Sequence, residues 1–174
     1  FLETADGTIL MSAIGTDIWN NADEFRYAYM TLNGNGSMTA RVDYLDGTPN
    51  TWAKAGIMIR QDAEAGAANT FVAMTGGDGG GATFQQRVDA DGATVSQHTY
   101  EGNPFTPPYW IKIERTGNTF MAFISPDGET WQQAGDTATV AMSDPVLIGL
   151  AVTSHNADQA TSAEFSNISF TGNV

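Results

Sequence analysis

The chain has no cysteine. That excludes disulfide staples, thiolate metal sites and a thiol nucleophile. At 174 residues it does not need staples, since a chain of this size buries roughly 70% of its unfolded surface on folding. Basic residues are scarce: 7 Lys+Arg stand against 20 Asp+Glu, a formal net charge of −13. Nucleic acid and anionic membrane are poor partners for such a surface, because phosphate contacts need a basic footprint. No apolar run approaches the ~18 residues of a membrane span. There are 2 histidines, His98 and His155, too few for a three-histidine zinc site. HExxH, a GxSxG elbow and a phosphate loop are all missing; Gly76–Gly81 lacks the lysine and helix that would make it one. No leader segment is visible, and the chain starts at Phe1, so we read residues 1–174 as one mature or excised domain of a larger protein.

Turns and alternation are what the sequence does have. Asn33-Gly34-Asn35-Gly36, Asp46-Gly47, Asp78-Gly79, Asp91-Gly92, Thr116-Gly117-Asn118 and Asp127-Gly128 read as hairpin or loop turns, where Asp, Asn and Gly tolerate positive φ. Between them lie short alternating runs at 25–32, 37–44, 55–61, 70–75, 83–88, 94–99, 109–115, 119–125, 146–153 and 163–170. Helical periodicity is hard to find; 62–69 offers at most one turn, weakened by Gly66. The spacing predicts an all-β fold, an antiparallel two-sheet jelly-roll β-sandwich.

Strand parity then separates core from surface. Ile57 and Ile59 face the core, so Met58 and Arg60 face away. Ala40 and Val42 leave Arg41 outside; Phe84 and Val88 leave Gln85 and Arg87 outside; Val95 leaves Ser96 and His98 outside. Arg41, Arg60 and Arg87 thus fall on the non-core parity of successive strands. If those strands share a sheet, the guanidiniums form a polar face able to donate to sugar hydroxyls or carboxylates. Surface pairing with Asp43, Asp62 or Asp89 is the competing reading. Among the 4 tryptophans, Trp19 and Trp52 sit in loop-like stretches and are candidate platforms for the apolar face of a sugar. His155 follows a strand with one small-residue face (Gly149, Ala151, Thr153) that leaves room for a ligand or for close packing.

Catalytic carboxylates for glycoside hydrolysis would need two acids on one face. Asp23 and Glu24 are adjacent and point apart; Asp62 and Glu64 share parity but sit in a loop. Oxygen clusters leave room for a structural calcium at Asp17 with Asn20, Asn21 and Asp23, at Asp78, or at Asp89 with Asp91. The chain requires no other cofactor on this reading. The run 125–131 is reminiscent of a sialidase Asp box, one residue short, and reads as a hairpin with a packed Trp131.

Taken together, TDIWNNADEFRYAY (16–29), MTAR (38–41), WAKAGIMIR (52–60), FQQR (84–87), YWIKIER (109–115), GNTFMAFISPDGETW (117–131), IGLAVTSHN (148–156) and AEFSNI (163–168) resemble the bacterial concanavalin A-like (LamG-like, DUF1349-like) β-sandwich domains of the lectin/glucanase superfamily. The resemblance spans nearly the whole chain and implies an accessory module of large secreted or cell-surface proteins. By that likeness the polar motif residues are Asp17, Trp19, Asp23, Arg41, Trp52, Lys54, Arg60, Arg87, His155 and Asn156. Asn20-Asn21 departs from the pattern, which has a glycine after the Trp. The resulting expectation is a non-catalytic carbohydrate-binding or adhesion module, extracellular and monomeric. Its partners are a polysaccharide or cell-surface glycan and the other domains of the same polypeptide. Ligand contacts are expected from Trp19, Arg41, Trp52, Lys54, Arg60, Arg87 and His155. The alternatives are a glycoside hydrolase or polysaccharide lyase with loop-borne carboxylates and a structural spacer in an adhesin.

Overall fold

Strands alternate core-facing and outward side chains throughout the computed structural model, which describes residues 1–77, 81–101 and 105–174, without the side chain of His98. In chain order the strands are β1 (Leu2–Glu3), β2 (Ile9–Gly15), β3 (Ile18–Trp19), β4 (Ala22–Asp23), β5 (Arg26–Leu45), β6 (Lys54–Arg60), β7 (Asn69–Thr75) and β8 (Gly81–Arg87). They continue with β9 (Thr94–Glu101), β10 (Tyr109–Thr116), β11 (Thr119–Ser125), β12 (Gln132–Gln133), β13 (Ala138–Thr139), β14 (Val146–Thr153) and β15 (Asn156–Asn173). Every pairing between them is antiparallel.

Two sheets share one long strand. Residues 26–32 of β5 pair with β14, which starts the second sheet, β5-β14-β6-β7-β8-β9. Residues 36–42 pair with β10 and the same half pairs with β15, within the first sheet, β1-β2-β15-β5-β10-β11, where β12 and β13 also pair with β11. This corrects one sequence expectation: Asn33–Gly36 is not a hairpin turn between two strands. Gly34, at φ +75°, lies inside a single 20-residue strand and marks where it passes from one sheet to the other. A left-handed residue inserted in a strand redirects it without ending it.

The facing surfaces of the sheets form the core. The first sheet contributes Met11, Met38, Val42, Ile111, Ile113, Phe120, Ile124 and Phe165, and the second Ile57, Ile59, Val72, Phe84, Ile148 and Leu150, all buried. Each such side chain is worth about 1.5–3 kcal/mol when fully removed from water. Parity assigned Ile57, Ile59, Ala40, Val42 and Phe84 correctly. It failed at Val88 and Val95, which are 41% and 47% exposed. Val88 falls after the end of β8, and Val95 lies on β9 at the sheet edge, where no further strand covers it. Residues 62–66 form bends and turns and Asn69 already opens β7, so the expected helical turn over 62–69 does not form.

A second apolar cluster lies on the other side of the second sheet. Met58, Phe71, Ala73 and Ala151 are fully buried there against Ile18, with Phe25 and Tyr27 at the margin. The segment 16–25, carrying the β3-β4 ribbon, therefore lies across the outer face of this sheet. Ala151 of β14 belongs to this cluster with Ile18, whereas Gly149 serves pairing within the sheet, where a Cβ would come within 2.1 Å of the Ala28 carbonyl oxygen of β5.

Candidate ligand-binding site

The outer face of the second sheet is a grid set by register. One row across β6, β7 and β8 reads Lys54–Thr75–Gly81, the next Gly56–Ala73–Thr83, then Met58–Phe71–Gln85, then Arg60–Asn69–Arg87. The last two rows are largely roofed by the 16–25 segment, and the first two stay partly open. β9 bulges opposite Phe84 and Gln85, so that Ser96 and Thr99 both reach this face.

Two guanidiniums hold the roof in place. Arg60 and Arg87 are 1% and 0% exposed. Arg87 makes a bidentate pair with Asp23, Nη1 to Oδ2 at 2.8 Å and Nη2 to Oδ1 at 2.5 Å, and Arg60 Nη1 reaches Asp23 Oδ2 at 3.3 Å. Two buried cations against one carboxylate would be costly alone. Backbone carbonyls complete the compensation: Trp19, Asn20, Ala65 and Ala67 accept from Arg87, and Asp62 and Glu64 from Arg60. Burial pulls the Arg60 guanidinium below its usual value, while the charge of Asp23 opposes that shift. The backbone bonds Asp23 N to Ala65 O (2.9 Å) and Thr94 N to Asn20 O (2.8 Å) tie the same loops together. Asn20 takes φ +51°, the left-handed conformation that asparagine tolerates best after glycine, so it meets the need that a glycine would meet after Trp19.

Above this hub a pocket opens, lined by Asp17, Trp19, Trp52, Lys54, Thr83, Gln85, Ser96, Thr99 and His155, with a volume of about 200 Å³. Trp19 comes from the roof and Trp52 from the turn before β6, where Asn50 Oδ1 accepts from the Trp52 amide at 2.8 Å. Lys54 is 2% exposed; its ammonium donates to Asp17 Oδ1 and lies 5.9 Å from the Trp52 ring centre. Burial pushes the Lys54 pKa down, and Asp17 pulls it back up. Asp17 Oδ2 is 3.1 Å from His155 Nε2, and Asp17 Oδ1 also accepts the Ile18 amide at 2.7 Å. His155 holds φ +52° at the β14–β15 turn, which aims the ring back over the sheet. Gln85 is 3% exposed, and its Oε1 accepts no hydrogen bond among the described residues. A buried orphan acceptor costs free energy until something donates to it.

The structure thus brings Trp19, Trp52, Lys54 and His155 together, and separates the arginines. The expected three-arginine face does not form. Arg41 lies on the first sheet, where its Nη1 pairs with Asp43 Oδ1 at 2.7 Å at the surface. Arg60 and Arg87 share a face as parity implied, but no ligand can touch them beneath the roof. As ligand contacts, sequence reasoning passed over Thr83, Gln85, Ser96 and Thr99; Gln85 and Ser96 had a signal, since parity already placed both facing outward. Among the acids offered for calcium, Asp17 is engaged by the Lys54 ammonium and the His155 ring, and Asp23 by Arg60 and Arg87, so that Lys54, Arg60 and Arg87 set positive charge where a metal would sit. Asp91 holds φ +59° in the β8–β9 turn, where Gly92 N bonds to Asp89 O at 3.0 Å. Asp78 lies outside the described residues. No group of three or more metal-ligating side chains occurs among the described residues.

The 125–131 stretch closes on itself on the first sheet. Asp127 Oδ1 accepts from Glu129 N, Thr130 N and Ser125 Oγ at 2.7–2.9 Å, while Trp131 stacks under Lys112, 5.0 Å from the ring centre. It is a structural turn on the sheet opposite the pocket.

No protein-family model matches the chain, and no curated protein sequence does. Solved structures do. A functionally unknown protein from Saccharomyces cerevisiae superposes with a TM-score of 0.77 at 16% identity, over 98% of this chain and 91% of that one. The carbohydrate-binding module CBM66 from Bacillus subtilis gives 0.57 at 17% identity over 98% of both chains. The GH43 protein BlXynB from Bacillus licheniformis gives 0.67 at 14% identity; 96% of this chain is covered but only 33% of that one. The chain therefore spans about a third of the GH43 protein's length. At these identities the similarity is one of fold, an antiparallel β-sandwich.

Proposed function

We propose that this chain is a non-catalytic carbohydrate-binding module, and that its pocket on the second sheet holds one exposed sugar unit of a polysaccharide or cell-surface glycan. The observation that carries the reading is the meeting of two tryptophans with an orphan acceptor and a buried ammonium in one cavity. Sugar C–H faces are apolar and stack on indole, while the hydroxyls need donors and acceptors at the rim. Trp19 and Trp52 supply the first; Lys54, Asp17, Gln85 and His155 supply the second. At about 200 Å³ the pocket is smaller than the ~300–1,000 Å³ typical of drug-sized ligands, which suits a single ring at the end or side of a chain. Among the described residues one acid lines the pocket, Asp17, and it is held by Lys54 and His155, whereas glycoside hydrolysis uses a spaced pair of carboxyl groups.

The same reading places the chain outside the cell or at its surface, as a single LamG-like or DUF1349-like domain beside others in a longer polypeptide. The coverage of one third of a GH43 protein and the fold shared with CBM66 support that setting. The test is retention of the purified chain on a panel of insoluble and gel-embedded polysaccharides, with released sugar assayed in the supernatant. Retention without release, lost on Trp52→Ala, is the expected result. Sugar release abolished by Asp17→Asn would replace this reading with a hydrolase or lyase. Absence of retention on every glycan would favour a spacer.

A further inference from the structure

The charge balance of the pocket goes beyond the class of ligand to its ionic state. Among the described residues, Lys54, Asp17 and His155 are the ionisable groups that line it, and the other lining residues are neutral. The Lys54 ammonium is already met by the Asp17 carboxylate, and the other Asp17 oxygen faces His155 Nε2. The arginines behind the floor are spent on Asp23 and backbone carbonyls. Among the described residues, a carboxylate entering the pocket would find no lysine or arginine lacking a counter-charge, and it would stand against Asp17.

Gln85 adds an independent constraint. Its Oε1 is buried, lines the pocket and lacks a donor among the described residues. Where the C6 group of the ring faces Gln85, an ionised carboxylate has only acceptors and cannot satisfy it, whereas a hydroxyl both accepts and donates. Lys54 Nζ donates to Asp17 alone among the described residues, so two of its three protons are left for ligand oxygens. A hydroxyl-bearing ring can take protons from Lys54 and give one to Gln85. The net charge of −13 disfavours polyanions at longer range in the same direction.

We propose, resting on the carbohydrate reading, that the pocket selects an uncharged sugar and rejects the uronate of the same configuration. The Lys54–Asp17 pair is the selectivity element: it presents hydroxyl-binding polarity without net charge. The experiment is an NMR titration of the labelled chain with matched pairs, methyl glucoside against methyl glucuronide and methyl galactoside against methyl galacturonide, near neutral pH and physiological ionic strength. At least one neutral member should shift the Trp19 and Trp52 indole signals and bind roughly tenfold or more tightly than its uronate. Asp17→Asn, which leaves the Lys54 charge uncompensated, should narrow or invert that ratio. Equal or tighter uronate binding by the unaltered chain overturns the selectivity and leaves the carbohydrate reading standing. No binding of any member, neutral or charged, overturns both. The ratio in the unaltered chain decides the claim even if Asp17→Asn fails to fold; an unchanged ratio in a folded Asp17→Asn removes the pair as its cause.

Discussion

The two outer faces of the sandwich carry the same outward parity and treat it oppositely. On the first sheet, Arg41–Asp43 and Lys112–Glu114 are surface ion pairs of 2.7 and 2.9 Å. On the second, Arg60 and Arg87 sit at the same kind of position in their strands, yet are sealed beneath residues 16–25 and 62–67 with one shared carboxylate. The difference lies in what covers the face. A covered arginine fastens loops; an uncovered one is solvated. The covered half of the second sheet exists to hold Trp19 and Asp17 over the open half, where the pocket forms.

That contrast is broken first at its strongest point. Arg87→Ala should destabilise the chain by about 3–5 kcal/mol, because it leaves Asp23 and several carbonyls buried without their donor; chemical denaturation measures it. Next is Lys54→Met. It should abolish sugar retention and lower stability by less than Arg87→Ala does, because Asp17 loses its ammonium partner but is partly exposed and keeps the Ile18 amide and His155. Its pH signature has a definite sign. Burial lowers the Lys54 pKa from 10.5, so between the lowered value and 10.5 the unfolded chain binds more protons and stability rises with pH. Lys54→Met should flatten that rise. On the first-sheet side, Arg115 Nη1 bonds Asp144 Oδ1 at 2.5 Å and holds the Asp144 pKa below 3.8. Its contribution is complete above 3.8 and is lost as pH falls through the lowered value, a loss that Asp144→Asn should remove from an acid titration. The smallest effect is expected for Arg41→Ala, at most about 1 kcal/mol, with retention on glycan unchanged.

Much of the sandwich was legible because its signals are local. Alternation in 55–61 separated Ile57 and Ile59 from Met58 and Arg60, and the Asp91-Gly92 and Thr116–Asn118 turns were plain. β2 escaped because Leu10 and Ile14 blur the alternation of Ile9, Met11 and Ala13. The site was legible only in part, since its decisive contacts are distant in sequence: Arg87 finds Asp23 across 64 residues, and Lys54 finds Asp17 across 37. Parity gives the face on which a side chain lies, and says nothing of the loop that later covers it. Trp19, Trp52, Lys54 and His155 converge through such loops, while Arg41 is excluded because β5 has already changed sheets before reaching it.

The central claim is that the open half of the second sheet, and no part of the first, holds the glycan. Retention on whichever polysaccharide binds the unaltered chain, compared between Trp52→Ala and Trp131→Ala, tests it most directly. The account predicts retention lost on Trp52→Ala and kept on Trp131→Ala, with both variants folded. The reverse pattern would place the ligand on the first sheet and contradict it.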